Sequence, residues 1–144
     1  MENCIFCKIA SGEIPCHKVF ENDKVLAFLD INPAVPGHTL VIPKKHFANI
    51  FEIDNEYLKE LILVAKDMAI RMKADFGAEG VNLFQSNGET AEQTVFHFHL
   101  HLLPRKEGDA LNFTKSLICA EKIDSAKFEE IKNILRKYDK ENVK

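Results

Sequence analysis

From Thr94 to Leu103 the chain reads TVFHFHLHLL, with His97, His99 and His101 separated by single apolar residues. Side chains alternate across a strand, so this run predicts a β-strand carrying three imidazoles on one face. Phe96, Phe98, Leu100 and Leu102 take the other face, turned toward a helix. Successive imidazoles then lie roughly 6.5–7 Å apart, twice the rise per residue. A solvated strand face is ordinarily filled with Thr, Lys or Glu, so three histidines point to chemistry. Two chemistries compete. Neutral imidazole is the commonest zinc ligand. Alternatively one ring is a nucleophile, mostly free base near neutrality and kept so by its neighbours, and able to attack phosphorus.

The rest of the chain supplies an α+β frame. Cys4 to Ala10 reads as a short helical turn ended by Ser11-Gly12 and Pro15. Lys18–Phe20 and Val25–Leu29 flank a hairpin signal, and Asn32-Pro33 and Pro36-Gly37 mark a loop. His38–Pro43 is a buried strand. A long helix spans Asn55–Phe76, with Asp54 as N-cap, Gly77 as terminator and an inward stripe of Leu58, Leu61, Ile62, Ala65, Met68, Ala69, Met72 and Phe76. Val81–Gln85 is a strand, followed by a polar loop from Ser86 to Gln93, and a weaker strand is placed at Thr114–Cys119. A last helix covers Ser125–Tyr138, with Phe128, Ile131, Ile134, Leu135 and Tyr138 inward. Strands joined mostly by hairpins give a mostly antiparallel sheet.

Composition narrows the function. The 144 residues are 46% apolar, suiting one domain with a real core. Nineteen basic against 22 acidic residues leave a charge of −3, so a nucleic acid polymer is not the expected partner. No apolar run reaches the ~20 residues of a membrane span, and the start lacks a signal peptide's pattern. A cytoplasmic protein is expected. Cys4-x-x-Cys7 then reads as a metal or redox pair, while Cys16 and Cys119 are expected as small buried or half-buried residues.

His97-Phe98-His99-Leu100-His101-Leu102-Leu103 resembles the signature of the histidine triad (HIT) family, His-x-His-x-His-x-x with apolar x. Gln93-Thr94-Val95 is similar to the Gln-Ser/Thr-Val preceding that triad. Leu26–Ile31 and Pro36–His46 resemble the family's N-terminal half. The match runs from about Cys4 to Arg105 and is closest to the bacterial Hint-like branch. The sugar-nucleotide transferase branch has glutamine at the third triad position, where this chain has His101.

The resemblance implies one HIT domain over 1–144, with a core at about 4–105 and an extension over 106–144 carrying the last helix. It implies about five strands around one long helix, and a symmetric homodimer joined through that helix and a central strand to form one continuous sheet. It places the nucleophile on His99, with attack on the α-phosphorus of a purine nucleotide or nucleotide conjugate. A nucleotidyl-histidine forms, and water then releases a nucleoside monophosphate. The implied substrates are nucleoside phosphoramidates, adenylylated amines or dinucleoside polyphosphates. His101 contacts the phosphate and helps protonate the leaving group, His38 lies near the phosphate, and Thr94 supplies oxyanion donors. Asn87 and Gln93 are placed with the nucleotide-binding residues, and Asp30 accepts from the ribose hydroxyls. Ile5, Phe6, Ile9, Phe28 and Ile31 wall the base.

Bacterial relatives carrying the N-terminal pair imply a structural zinc on Cys4, Cys7, His46 and His97. Lys44-Lys45 and Arg105-Lys106 are read either as a phosphate-attracting rim or as solvated charges. Glu92 stands where this branch commonly has glycine, a residue that allows unusual φ angles. The alternative to an enzyme is a zinc-stabilised purine-nucleotide-binding module with slow, incidental turnover.

Overall fold

Residues 3–112 and 122–136 are described in the computed structural model, and the chain divides into two units, residues 1–111 and 112–144. In the first, Cys4 opens helix α1 (Ile5–Ala10), its sulfur accepting from the Cys7 N–H. Strands β1 (Lys18–Glu21) and β2 (Val25–Leu29) form the expected hairpin, tightened by the Asn22 carboxamide, which accepts from the N–H groups of Lys24 and Val25. Then come β3 (Thr39–Pro43), helix α2 (Asn55–Ala74), β4 (Gly80–Phe84), a single 3-10 turn at Glu89–Ala91, and β5 (Leu100–Arg105). The sheet order is β1-β2-β3-β5-β4 and every pairing is antiparallel. This is the expected α+β architecture.

Strands β2 and β3 are buried on both faces, which explains their unbroken apolar runs. Val25, Ala27 and Val41 pack with Leu61, Val64, Ala65, Met68 and Met72 of α2. Leu26, Phe28, Leu40 and Ile42 face the other way, toward Phe6 of α1. So α2 covers one face of the sheet and α1 caps part of the other. Leu61, only 1% exposed, contributes ~1.5–3 kcal/mol by its burial.

Several expectations need correction. The stripe of α2 runs through Leu61, Val64, Ala65, Met68 and Met72; Val64 was not in the expected set, and Ile62 lies off the stripe and is exposed. The helix ends at Ala74, where Ala78 N–H reaches back to Met72 O (3.0 Å) and Gly77 takes φ +74°. Phe76, beyond that end, is also exposed, and its ring lies against Gly37. Asp54 occupies the N-cap with extended backbone, but its carboxylate pairs with Lys45 (3.2 Å) rather than capping.

The histidine strand is shorter than Thr94–Leu103. Ladder pairing starts at Leu100, because the preceding backbone is engaged elsewhere: Phe98 N–H donates to Phe47 O (2.7 Å) and His97 O accepts from a side chain. Phe98, Leu100 and Leu102 still pack on the α2 side, whereas Phe96 is half exposed.

In the second unit, α3 (Ser125–Arg136) starts at Asp124, whose carboxylate accepts from Lys127 N–H (2.8 Å). Its apolar side chains are not inward: Phe128, Ile134 and Leu135 are largely exposed and Ile131 half-buried. Tyr138 and the strand expected at Thr114–Cys119 lie outside the described residues.

Candidate active site and metal cluster

The turn ahead of β3 and the register of β5 bring the histidines together. Gly37 (φ +86°) closes that turn, and a Cβ there would meet the Phe76 ring at 2.8 Å. Only glycine suits both the angle and the approach. His38 follows, 5% exposed. Ala34 N–H donates to its Nδ1 (3.1 Å), so the ring proton sits on Nε2, which lies 2.8 Å from Nδ1 of His101. His101 therefore accepts on Nδ1 and carries its own proton on Nε2. Phe84 stacks flat on the His101 ring at 4.1 Å. Burial, and secondarily His99 and His38, push the His101 pKa down to about 3.

His99 is fixed separately. Its Nδ1–H donates to His97 O (2.7 Å), leaving the Nε2 lone pair free. Burial holds its pKa below the usual value, against the opposing pull of that backbone bond and of Asp30. A neutral ring of fixed tautomer with one open nitrogen is what a nucleophile requires.

His99 and His101 line a cleft of about 390 Å³ together with Thr94, Asp30 and all five apolar residues expected there: Ile5, Phe6, Ile9, Phe28 and Ile31. Asp30 uses one oxygen to accept from Asn32 N–H (2.8 Å), and its other oxygen lies 3.7 Å from His38 Nε2. His38 itself stands behind His101 rather than in the wall. Asn87 and Gln93 do not line the cleft. The Gln93 amide donates to Ala48 O (2.6 Å) and Val95 O (3.0 Å) and accepts from Gly88 N–H (2.8 Å). Asn87 accepts from Ile50 N–H (2.7 Å) and Gln85 Nε2 (2.8 Å). Both brace the loop that carries Thr94. Between them Glu92 adopts φ +64° and ψ +27°, the left-handed conformation that glycine takes without strain.

Ile14, Pro15, Cys16, Asn32, Leu40 and Val95 also line the cleft. Sequence reasoning passed over them; the only hint was an Ile-Pro-Cys run between polar residues after α1, read there as a helix terminator. The basic pairs form no phosphate rim. Lys44 pairs with Glu21 (2.7 Å) and Lys45 with Asp54, while Arg105 forks onto Asp109 and reaches Asn82 (2.8 Å).

The first triad histidine points elsewhere. His97 Nε2–H donates to Pro43 O (2.8 Å), which leaves Nδ1 as a lone pair. That nitrogen lies 3.4 Å from Cys4 Sγ and 3.5 Å from Cys7 Sγ, and His46 Nδ1 lies 3.3 Å from Cys7 Sγ. Zinc bonds of about 2.0–2.3 Å in a tetrahedron put neighbouring donors roughly 3.3–3.8 Å apart. The Cys₂His₂ donor set and its spacing suit zinc, and the Pro43 carbonyl orients the His97 ring from behind. The three triad rings do not converge on a shared point, so a single metal held by all three is excluded.

The profile of the HIT domain matches residues 11–108. This chain belongs to the HIT family. The HIT protein called Protein hit in Bacillus subtilis is 48% identical over 104 residues, covering 72% of each chain. An adenosine 5'-monophosphoramidase of Candida albicans is 43% identical over 109 residues, covering 73% of this chain and 72% of the relative. A zinc-bound histidine triad protein of Mycobacterium smegmatis superposes with a TM-score of 0.74 at 36% identity, covering 94% of this HIT chain and 92% of the other. Among the described residues no helix is long and apolar enough to cross a membrane.

Proposed function

We propose that this chain is a nucleotide hydrolase in which His99 attacks the α-phosphorus of a purine nucleotide conjugate. The observation that carries this reading is the His99 Nδ1–H bond to His97 O, which frees Nε2 inside a cleft shared with His101 and Thr94. In the first step the Nε2 lone pair forms an N–P bond while the bond to the leaving group breaks, its electron pair departing with the leaving atom. The His38–His101 pair, protonated against the bound phosphate anion, supplies a proton to that atom. Water then attacks phosphorus, returns a proton to the pair and frees His99 with release of the monophosphate. Asp30 offers its carboxylate to the ribose hydroxyls, and Thr94 with the backbone around it donates to the phosphate oxygens. The Candida albicans phosphoramidase supports this choice of reaction.

Cys4, Cys7, His46 and His97 would hold a zinc ion whose role is structural, tying α1 to the segment bearing His99. Phe6 of α1 supports this role, since its ring packs in a T-shaped arrangement with both His97 and His99, ring centroids 5.9 and 5.1 Å apart. We also propose a cytoplasmic homodimer joined through α2 and the edge strand β4. Exposed Ile62, Ile70 and Leu83 on those elements, with a cavity of about 650 Å³ between them, support that assignment.

The test mixes the protein with an adenosine phosphoramidate and reads stopped reactions by intact mass. A nucleotidyl adduct that is absent from His99→Ala is expected. No adduct and no AMP would favour a zinc-stabilised nucleotide-binding module instead.

A further inference from the structure

The loop ahead of β3 determines which ring nitrogen of His38 carries the proton, so whatever holds that loop matters to the site. Val35, Pro36, Gly37 and His38 form a type II turn: His38 N–H donates to Val35 O (3.1 Å) and Gly37 takes φ +86°. A Pro-Gly turn can also flip its central peptide into the type I form, which takes the glycine to φ of about −90°. Glycine meets both angles without strain, so its own preference does not choose between them.

Two residues outside the loop close on that glycine. A Cβ on Gly37 would lie 2.8 Å from Cε1 of Phe76 and 3.0 Å from Cγ of Pro104. Phe76 stands past the end of α2, at the bend where Gly77 takes φ +74°, and Pro104 lies on β5, the strand that carries His101. Lys106 Nζ sits over the Phe76 ring, 4.5 Å from its centroid. The ring is nevertheless 44% exposed, and it lines no part of the catalytic cleft. Neither burial of its own surface nor contact with substrate accounts for its place. Closure on Gly37 does.

We propose that Phe76 is a positioning residue for the His38–His101 pair. Together with Pro104 its ring holds the turn in the type II form. That form keeps Ala34 N–H on Nδ1 of His38 and the proton on Nε2, aimed at Nδ1 of His101. Without the ring the glycine visits both turn forms and His38 both tautomers. A fraction of the molecules then sets a bare Nε2 against the bare Nδ1 of His101, and the proton order of the pair is lost. The catalytic consequence rests on the reading above, in which this pair supplies the proton to the leaving group.

Long-range proton–nitrogen NMR spectra of the histidine rings show which nitrogen carries the proton, and they need no turnover. His38 is expected to be protonated on Nε2 alone in the wild-type protein and in Phe76→Tyr, which keeps the ring, and to show mixed tautomers in Phe76→Ala. Pro104→Ala opens the other side of the same clamp and should mix the tautomers too, so the test stands even if Phe76→Ala fails to fold. On an adenosine phosphoramidate, Phe76→Ala should lower kcat about tenfold at unchanged KM, as displacement of a catalytic group allows. In a His38→Ala background it should cost nothing further, because the ring acts through His38. A single His38 tautomer in both clamp variants, or an equal kcat loss with and without His38, would overturn the positioning role and leave the His99 reading intact. Mixed tautomers at an unchanged kcat would uphold the clamp and overturn the pair as the proton source.

Discussion

The Nε2–H of His38 donates to Nδ1 of His101 across 2.8 Å, and a backbone amide decides the direction of that bond. Because Ala34 N–H already occupies Nδ1 of His38, the proton order runs from the main chain through two rings to an outward N–H on His101. The loop before β3 thus sets the protonation pattern of a residue on β5.

His38→Ala removes that order without removing a wall of the cleft. We expect kcat to fall roughly 10–100-fold, toward the lower end of what a positioned acid supplies, with AMP affinity changing little. Steady-state rates on an adenosine phosphoramidate check this; a wild-type kcat would show the His38 bond to be without consequence.

Acid should destabilise the fold through His101. Unfolded, the ring takes a proton near its ordinary value of 6.5; folded, burial delays this to about 3. Between those values the unfolded chain binds more protons, so stability falls as pH drops through that window. Urea midpoints measured from pH 7 to pH 4 should decline, and His101→Asn should flatten the decline. An unchanged slope in that variant would assign the loss to other groups.

Zinc removal should loosen the cleft as well as the N-terminus. Cys4→Ser is expected to lose stoichiometric zinc by elemental analysis and to melt at lower temperature than the loaded protein. Zinc retained one-to-one in that variant would show that Cys4 is not a ligand.

Glu92 has a measurable conformational cost. A left-handed angle at a residue with a Cβ costs ~1–2 kcal/mol, partly offset by glycine's greater chain entropy. Glu92→Gly should therefore raise stability by about 0.5–1 kcal/mol in urea unfolding; a Glu92 carboxylate that acts on the bound phosphate would show besides as a lower KM or a shifted leaving-group preference in that variant. Unchanged KM and unchanged preference would leave Glu92 with a conformational role alone.

The period-two pattern at residues 97–101 was legible because alternation is a local property, and so was the Cys4-x-x-Cys7 pair. That His46 and His97 stand beside it, and that the apolar residues wall one cleft, followed only from the resemblance, because these residues lie far apart in the chain. The His38–His101 bond joins residues 63 positions apart, and no spacing rule reaches that far. Gln93 and Asn87 are tied to Ala48 and Ile50 in a distant loop, contacts that no local pattern announces. The α3 stripe misled for the opposite reason: periodicity shows that a face is apolar, not that anything covers it.

His101 is held in register from both sides, opposite Leu40 on β3 and Phe84 on β4. A strand hydrogen-bonded to two neighbours cannot slide by one residue without breaking both ladders, and such a slip would swap its imidazole for an aliphatic side chain. Partial misalignment is therefore not a accessible low-activity state. In the wild-type chain the His38–His101 bond should therefore be lost only with the sheet, so any turnover that depends on it gauges the folded fraction.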